Sequence, residues 1–136
     1  MKRGRLLNRH LSTLIASLGH LDEIVIADAG LPVPAGVTVI DLAVSQGIPS
    51  FWDVVQAVRS ELIIEAAVRA TETSDELADQ MTKVIGAWAH ETGRDVALSA
   101  TPQEALKERT RHAKAVIRTG EFAPYCNLIL VSGVAF

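Results

Sequence analysis

A short apolar run at residues 24–27 is the clearest strand signal in the chain. The run is rich in branched residues and lies between Gly19 and the Gly30-Leu31-Pro32 turn, which predicts a buried strand. Asp28 follows at the carboxyl end of this strand, where open α/β sheets usually bind their ligands. Two interpretations of Asp28 remain open at this point: a ligand-binding carboxylate, or a turn residue that bonds its own backbone.

Four other stretches carry the helical spacing or the capping residues that mark a helix. The predicted starts are Asn8, Ser50 with Asp53, Thr73 with Glu76, and Thr101 with Glu104, while Gly19 and Gly93 mark the ends of the first and third helices. In the fourth helix the pattern predicts Pro102 at the first helical position and Gln103 at the second. Trp88 lies in the apolar stripe of the third helix, which predicts a core or subunit contact for its ring rather than a sugar-stacking surface.

Extended segments alternate with these helices. They are predicted at residues 37–44, 62–70, 96–98, 115–117 and 127–131, the first of them as an edge strand. The alternation predicts an α/β fold, a three-layer α/β/α sandwich with a mostly parallel, mixed central sheet, in which residues 1–136 form a single domain. Neither a G-x-G-x-x-G nor a Walker lysine motif is present, so the sequence offers no phosphate cradle for a nucleotide.

Composition narrows the class of partner. The formal net charge is −3 and the basic residues are scattered, so no basic stripe is available for nucleic acid or an anionic membrane surface. No apolar segment reaches the ~18 residues of a membrane span, and the run after Arg5 is too short for a signal peptide. The only cysteine, Cys126, is expected to be a small buried hydrophobe. We therefore expect a cytoplasmic protein without nucleic-acid or membrane partners.

His20 is the histidine whose position most favours chemistry. It follows the C-terminus of the first helix, where unpaired carbonyls favour a protonated imidazole, and Asp22 and Glu23 act in the same direction. A protonated imidazole near neutral pH is a usable proton donor. The alternative is a histidine that caps the helix carbonyls. The remaining histidines, His10, His90 and His112, are expected to be solvated.

Metal and serine chemistry find little support. His20 and Asp22 form an H-x-D pair, but no further histidine, cysteine or carboxylate nearby in sequence completes a ligand set. No serine lies in a G-x-S-x-G turn, so a Ser/His/Asp arrangement is not indicated. We therefore expect neither a metal nor a cofactor.

The distance between His20 and Asp28 restricts how they could act together. If residues 21–27 are extended, the two side chains lie about 20 Å apart, at ~3.3 Å per residue, which is more than one small ligand can bridge. Either the chain bends sharply after His20, or the two groups meet across a subunit boundary. We favour the second alternative, which predicts an obligate oligomer with composite sites.

Several blocks of the sequence together resemble one known family. They are Leu18-Gly19-His20, residues 22–32, Gly47-Ile48-Pro49-Ser50-Phe51, residues 116–127 and the ending Ser132-Gly133-Val134-Ala135-Phe136. In these blocks the chain resembles the RbsD/FucU family over essentially its whole length. The block Asp28-Ala29-Gly30-Leu31-Pro32 is similar to the ribose pyranase branch rather than to the fucose mutarotases.

This resemblance implies a function and a set of site residues. It implies a cytoplasmic, cofactor-independent isomerase that interconverts the β-pyranose and β-furanose forms of D-ribose, assembled as a ring-shaped homo-oligomer, either a pentamer or a decamer built from pentamers. It implies that His20 is the proton donor and that sugar is bound by Asp28, Gln103 and the Tyr125-Cys126-Asn127 block. Gln103 stands where the family usually carries a second histidine. This departure keeps two alternatives open: a sugar-binding protein with reduced catalysis, or a mutarotase for another aldose such as fucose.

Overall fold

Six strands and four helices follow one another in the computed structural model, which describes residues 1–136. The helices are α1 Arg9–Ser17, α2 Phe51–Arg59, α3 Asp75–Thr92 and α4 Gln103–Arg109. The strands are β1 Glu23–Ala27, β2 Val39–Asp41, β3 Ile64–Ala70, β4 Ala97–Thr101, β5 Ala115–Arg118 and β6 Leu128–Ser132. All predicted helices and strands are present, with ends shifted by a few residues. None of the helices combines the length and apolar character needed to cross a bilayer.

One six-stranded sheet in the order β2-β5-β1-β6-β3-β4 forms the middle of the molecule. The pairs β1–β5, β2–β5 and β3–β4 are parallel, whereas β6 runs antiparallel to both of its neighbours, β1 and β3. Five strands therefore point the same way, and only β6 is reversed. The predicted mostly parallel, mixed sheet is confirmed, and β2 lies at its edge as predicted.

Side chains on the two faces of the sheet belong to two separate cores. The larger core packs α1, α2 and α3 on one face, with Ile24 and Ile26 of β1 pointing into it. The smaller core packs Leu106 of α4 against Val25 and Ala27 on the other face. This alternation of β1 side chains produces the three predicted layers. Trp88 is fully buried in the larger core and donates its indole N–H to Leu62 O at 2.8 Å.

Two of the predicted helix starts have the expected capping chemistry. The Asn8 side chain accepts hydrogen bonds from the backbone N–H groups of His10 and Leu11, so it caps α1. Ser50 and Asp53 form a reciprocal capping box at the start of α2. Both caps satisfy backbone donors that a helix N-terminus otherwise leaves unpaired.

The caps predicted for α3 and α4 are wrong. Ser74, not Thr73, caps α3, although Gly93 ends that helix in the left-handed conformation as expected. Pro102 is the N-cap residue of α4 rather than its first residue, Gln103 is the first, and Thr101 makes no capping hydrogen bond because it still belongs to β4. A carboxylate distant in sequence, Glu72, accepts the Gln103 N–H instead.

The end of α1 also differs from the prediction. Gly19 follows the C-cap residue Leu18, but the left-handed residue in this turn is Leu21, with φ 67°. The Leu21 N–H donates to Ser132 O at 2.9 Å, and the Asp22 N–H donates to Gly19 O. Tertiary pairing with the end of β6, not glycine chemistry, therefore sets the turn that leads into β1.

Candidate functional site

The direction of the strands decides which loops lie together. Five strands are parallel and β6 is reversed. The segments that follow β1, β3, β4 and β5 therefore lie at the same end of the strands as the segment that precedes β6. Asp28, Gln103 and Tyr125 come from three of these segments and line one open cavity of about 540 Å³. The sheet topology therefore brings together three residues that are far apart in sequence.

Asp28 is held by Asn127, the residue just before β6. The Asn127 Nδ2 donates to Asp28 Oδ2 at 3.0 Å, and its Oδ1 accepts the Asp28 backbone N–H at 2.9 Å. The other carboxylate oxygen, Oδ1, accepts the N–H of Gly30 at 2.9 Å. Asp28 thus makes the local turn contact and also lines the cavity, and its role in ligand binding stays a prediction. Asn127 is fully buried, which fixes the carboxylate orientation.

Gln103 lies in the wall of the same cavity. Its side chain is only 8% exposed, and its Oε1 has no hydrogen-bond partner in the protein. The amide group of glutamine combines a hydrogen-bond acceptor with two donors. The residue therefore suits a ligand that carries hydroxyl groups.

Tyr125 adopts an uncommon backbone conformation. Its φ is 57°, in the left-handed region that residues with a Cβ rarely visit, and its side chain is 41% exposed. The Thr73 hydroxyl donates to Tyr125 O at 3.0 Å. The phenol group can both donate and accept, so it complements the carboxylate of Asp28 across the cavity.

Cys126, between Tyr125 and Asn127, faces away from the cavity. Its side chain is fully buried in the larger core, and burial raises the pKa of the thiol well above its usual range, helped by the charges of Glu121 and Asp28. A thiol held in its protonated form is a poor nucleophile. The side chain therefore packs as a small hydrophobe, as the sequence predicts.

His20 lies before β1, at the opposite end of the strands from Asp28. It lines a different cavity, of about 540 Å³, with Ser132, Gly133 and Phe136. The turn at Leu21 bends the chain, but the five residues of β1 still separate His20 from Asp28. Within one chain the two residues therefore do not share a cavity, and a joint site across protomers stays a prediction.

The acidic partner of His20 comes from β3. The His20 Nε2 lies 2.9 Å from Glu65 Oε2. A register shift between β3 and β6 occurs between Ile64 and Ala66, so Glu65 is the extra residue of a bulge, a feature that redirects side chains. The only sequence signal for this residue is a single carboxylate in a mostly apolar strand.

The two acidic residues that follow His20 in sequence, Asp22 and Glu23, make contacts of their own. The Asp22 carboxylate accepts the Gly19 N–H at 2.8 Å. Glu23 pairs with Arg109, whose pKa is raised above its usual value by hydrogen bonds to that carboxylate. His20 and Asp22 also do not belong to any group of three metal-ligating side chains.

Three charged residues line the cavity of Asp28 that were not singled out from the sequence. They are Lys107, Arg118 and Glu121. The Arg118 Nε donates to Ala29 O at 3.0 Å, and its guanidinium pairs with Asp41 of β2. Lys107 pairs with Glu104 one turn earlier in α4. The sequence signal for Arg118 was its place at the end of a buried strand. Because β5 is parallel to β1, that position lies at the same end of the strands as Asp28.

These groups define a class of site. A carboxylate, an unpaired amide, a phenol and a lysine converge on one cavity and offer both donors and acceptors, as recognition of a small polyhydroxyl compound requires. Residues 1–135 match the RbsD / FucU transport protein family, and the chain belongs to that family.

Three individual proteins show what this chain resembles in sequence and in structure. The D-ribose pyranase of Vibrio vulnificus (strain YJ016) is 47% identical to this chain over 139 residues, and the match covers 100% of both proteins. The structure of Bacillus subtilis RbsD complexed with D-ribose is 41% identical, covers 100% of both chains and superposes with a TM-score of 0.88. A fucose mutarotase from Streptococcus pneumoniae, solved in complex with L-fucose, shares the fold with a TM-score of 0.75 at 22% identity over 93% of each chain.

Proposed function

We propose that this protein is a D-ribose pyranase, an isomerase that interconverts the β-pyranose and β-furanose forms of D-ribose without a cofactor. The observation that carries the proposal is the cavity shared by Asp28, Gln103 and Tyr125, in a chain 47% identical over its whole length to a D-ribose pyranase. Those three residues follow β1, follow β4 and precede β6, and the sheet topology brings them to one cavity. Their hydrogen-bonding groups match the hydroxyls of an aldopentose.

The chemistry needs only positioned proton transfer. Pyranose and furanose forms exchange through the open aldehyde, so a proton must reach the ring oxygen and another must leave the anomeric hydroxyl. We assign the acid to His20, and we assign to Asp28 the hydrogen bond to a sugar hydroxyl or the acceptance of its proton. Positioned acids and bases typically contribute 10² to 10⁴ in rate, which suffices for a reaction that already proceeds slowly in water.

The remaining residues hold the sugar and the two reacting groups. Gln103 and Tyr125 bond sugar hydroxyls, while Asn127 orients the Asp28 carboxylate through the pair of hydrogen bonds that joins them. Cys126 contributes by its place between Tyr125 and Asn127, since its thiol is buried. Glu65 orients the His20 imidazole through the contact between its Oε2 and Nε2.

The proposal includes a ring-shaped homo-oligomer, a pentamer or a decamer, in which His20 of one protomer faces Asp28 of the next. Two features support it. His20 and Asp28 lie at opposite ends of the strands, where a neighbour can reach each of them. In addition, Leu21 beside His20 is 58% exposed and Phe122 in the Asp28 cavity is 62% exposed, so each site carries an exposed apolar side chain that a neighbouring protomer would cover. We also propose that residues 1–136 form one domain, because strands from both halves of the chain alternate in one sheet.

We further propose that the enzyme works in the cytoplasm and acts without nucleic-acid or membrane partners. The formal net charge of −3, with no basic stripe, supports the absence of those partners. Fractionation of cells that express the chain, with the protein followed by immunoblot, tests the location. Recovery in the membrane or secreted fraction would contradict it.

Two other functions of the same cavity are tested with the main one. Gln103 in place of the family's histidine favours a sugar-binding protein with reduced catalysis, since an amide does not titrate near neutral pH. A change of sugar, to fucose for example, is the other candidate, but the fucose mutarotase at 22% identity supports only the fold. NMR saturation transfer on ribose, fucose and other aldoses separates the three. Exchange of ribose forms supports the proposal, and ribose binding without exchange supports the first alternative.

His20→Ala tests the assigned acid in the same measurement. We expect the catalysed exchange of ribose forms to be lost, because the proton donor to the ring oxygen is removed. Size-exclusion chromatography should show an unchanged assembly. His112→Ala, which removes an exposed imidazole from the turn after α4, is the matched control and should exchange ribose at the normal rate. Normal exchange by His20→Ala would overturn the assignment.

A further inference from the structure

The loop that follows β3 contacts two of the cavity residues although it does not line their cavity. This loop, residues 71–73, consists of Thr71, Glu72 and Thr73. Its start is tied to the end of β4, since the Thr71 N–H donates to Thr101 O at 2.9 Å. The loop therefore has a fixed place between the segment that carries Gln103 and the segment that carries Tyr125.

Glu72 holds the backbone of Gln103. Its two carboxylate oxygens lie 2.9 Å and 3.2 Å from the Gln103 N–H, which no other group caps. The Thr71 hydroxyl donates to Glu72 Oε1 at 2.5 Å and so keeps the carboxylate pointed at α4. Hydrogen bonds from these donors hold the pKa of Glu72 below its usual value, so it is ionised at neutral pH. The carboxylate thereby fixes the first residue of α4 and, with it, the position of the Gln103 side chain.

Thr73 holds the backbone of Tyr125. Its side chain is 5% exposed, and its hydroxyl donates to Tyr125 O at 3.0 Å. Tyr125 has a φ of 57°, a conformation that a residue with a Cβ keeps only when its surroundings hold it. The hydrogen bond from Thr73 is the side-chain contact that does so. Tyr125 also forms the wall between the cavity of Asp28 and a second cavity, lined by Glu72.

We infer that Glu72 and Thr73 are positioning residues that fix the distance between Gln103 and Tyr125 in the ribose cavity. The inference rests on the proposed function and names two residues that act through others. Two groups that bond the same small sugar must be held to within about 0.5 Å, and one loop bonded to both achieves this. Neither residue lines the cavity of Asp28.

Thr73→Val is the first variant, because valine keeps the shape of threonine and removes only the hydroxyl. We expect the KM for ribose, from saturation transfer at several concentrations, to rise about fivefold to tenfold while kcat changes less than about twofold, since binding geometry is lost rather than the proton donor. Thr73→Ser, which keeps the hydroxyl, should restore the normal KM. Thr82→Val is the matched control: it removes a threonine hydroxyl that bonds Ala78 O within α3.

A double-mutant cycle tests the second half of the inference. Glu72→Gln and Gln103→Ala should each raise the KM, but adding Glu72→Gln to Gln103→Ala should change it by less than about twofold, because the side chain that Glu72 places is already absent. A purely structural role for Glu72 would give additive effects. Glu91→Gln, which removes the carboxylate that pairs with Arg59, is the matched control.

The outcomes separate the inference from the proposed function. Normal KM values for Thr73→Val and Glu72→Gln, or additive effects in the cycle, would overturn the inference while ribose exchange by the unsubstituted protein stands. Absence of both ribose binding and exchange in the unsubstituted protein would overturn the proposed function, and the inference with it. Glu72 is exposed, so we expect Glu72→Gln to fold. Its KM then tests the inference even if Thr73→Val fails to fold.

Discussion

At the scale of single residues, the side chain of Gln103 indicates how sugar binding and proton transfer are divided among the cavity residues. Its amide oxygen is buried and has no hydrogen-bond partner in the protein. The amide can donate and accept hydrogen bonds but cannot take up a proton near neutral pH. We therefore expect this position to bind sugar without taking part in proton transfer, and we expect catalysis to rely on His20 and Asp28.

Gln103→His tests that division of roles. An imidazole can exchange protons with a sugar hydroxyl, so we expect ribose exchange to become about tenfold faster at pH 7 and to lose this gain as pH falls below ~6.5. The ratio of variant to unsubstituted rates, measured by saturation transfer from pH 5 to pH 8, isolates the new imidazole because all other groups are common to both proteins. A ratio that stays at one throughout would show that proton transfer at this position does not limit the reaction.

Gly120 is a residue where the fold leaves no room for a side chain. A Cβ at this position would lie 2.6 Å from Ile48 N and from Ser45 O, both backbone atoms that cannot move aside alone. We expect Gly120→Ala to lower the free energy of unfolding by about 2–3 kcal/mol, as overpacking does. Thermal unfolding measures the loss. Gly86→Ala on the exposed face of α3, where nothing lies within 4 Å, is the control and should stabilise by about 0.5–1 kcal/mol.

At the scale of elements, the loops at the ends of the strands carry the site and the capping groups set where those loops end. Caps between neighbours in sequence, such as Ser50 with Asp53, follow from local chemistry. The cap on α4 does not, because Glu72 reaches Gln103 from 31 residues away. Elements at the site are therefore held by contacts that a local pattern cannot reveal.

The capping box of α2 predicts a pH dependence of stability. Hydrogen bonds from the side chain and backbone of Ser50 hold the pKa of Asp53 below its ordinary value of 3.8. A carboxyl whose pKa is lowered on folding stabilises the fold above its ordinary pKa, and this contribution is lost as pH falls through the lowered value. We expect Asp53→Asn to be less stable than the unsubstituted protein at pH 7, with the difference closing below pH 3.8.

Denaturant unfolding at a series of pH values measures this difference. Asp79→Asn is the control, because Asp79 is an exposed carboxylate of α3 for which the structure shows no hydrogen bond. A difference between Asp53→Asn and the unsubstituted protein that persists unchanged into acid would contradict the assigned role of the charge.

At the scale of the whole molecule, the separation of His20 from Asp28 is the feature with the widest consequence. The two residues lie at opposite ends of β1 and line separate cavities in a single chain. A joint active site therefore needs two protomers, and a closed ring provides one such contact for every protomer. Assembly would then be part of catalysis.

Mixing two inactive variants tests the composite site. His20→Ala supplies an intact Asp28 and Asp28→Ala supplies an intact His20. When the two are unfolded together and reassembled at equal amounts, we expect about a quarter of the interfaces to contain both intact residues and to restore that share of ribose exchange. Each variant reassembled alone is the control. No recovery in mixed assemblies of normal size would show that the two residues do not act at one interface.

Local patterns in the sequence accounted for most elements of this fold. The run at residues 24–27 became the buried strand β1, and the capping residues Asn8 and Ser50 placed two helices to within a residue. These features depend on contacts over a few residues, so the sequence alone specifies them. The caps at Thr73 and Thr101 were wrong because the competing groups, Tyr125 and Glu72, belong to other parts of the chain.

The sequence by itself determined the elements, the family and the residues with the chemistry for a site, because periodicity, capping and motif blocks are local properties. Only the tertiary structure decided which of those residues meet. The reversal of β6 brings Tyr125 and Asn127 to Asp28, the bulge at Glu65 turns a carboxylate towards His20, and β1 separates His20 from Asp28. Each of these depends on pairing between distant strands, whose hydrogen bonds have no counterpart in local sequence.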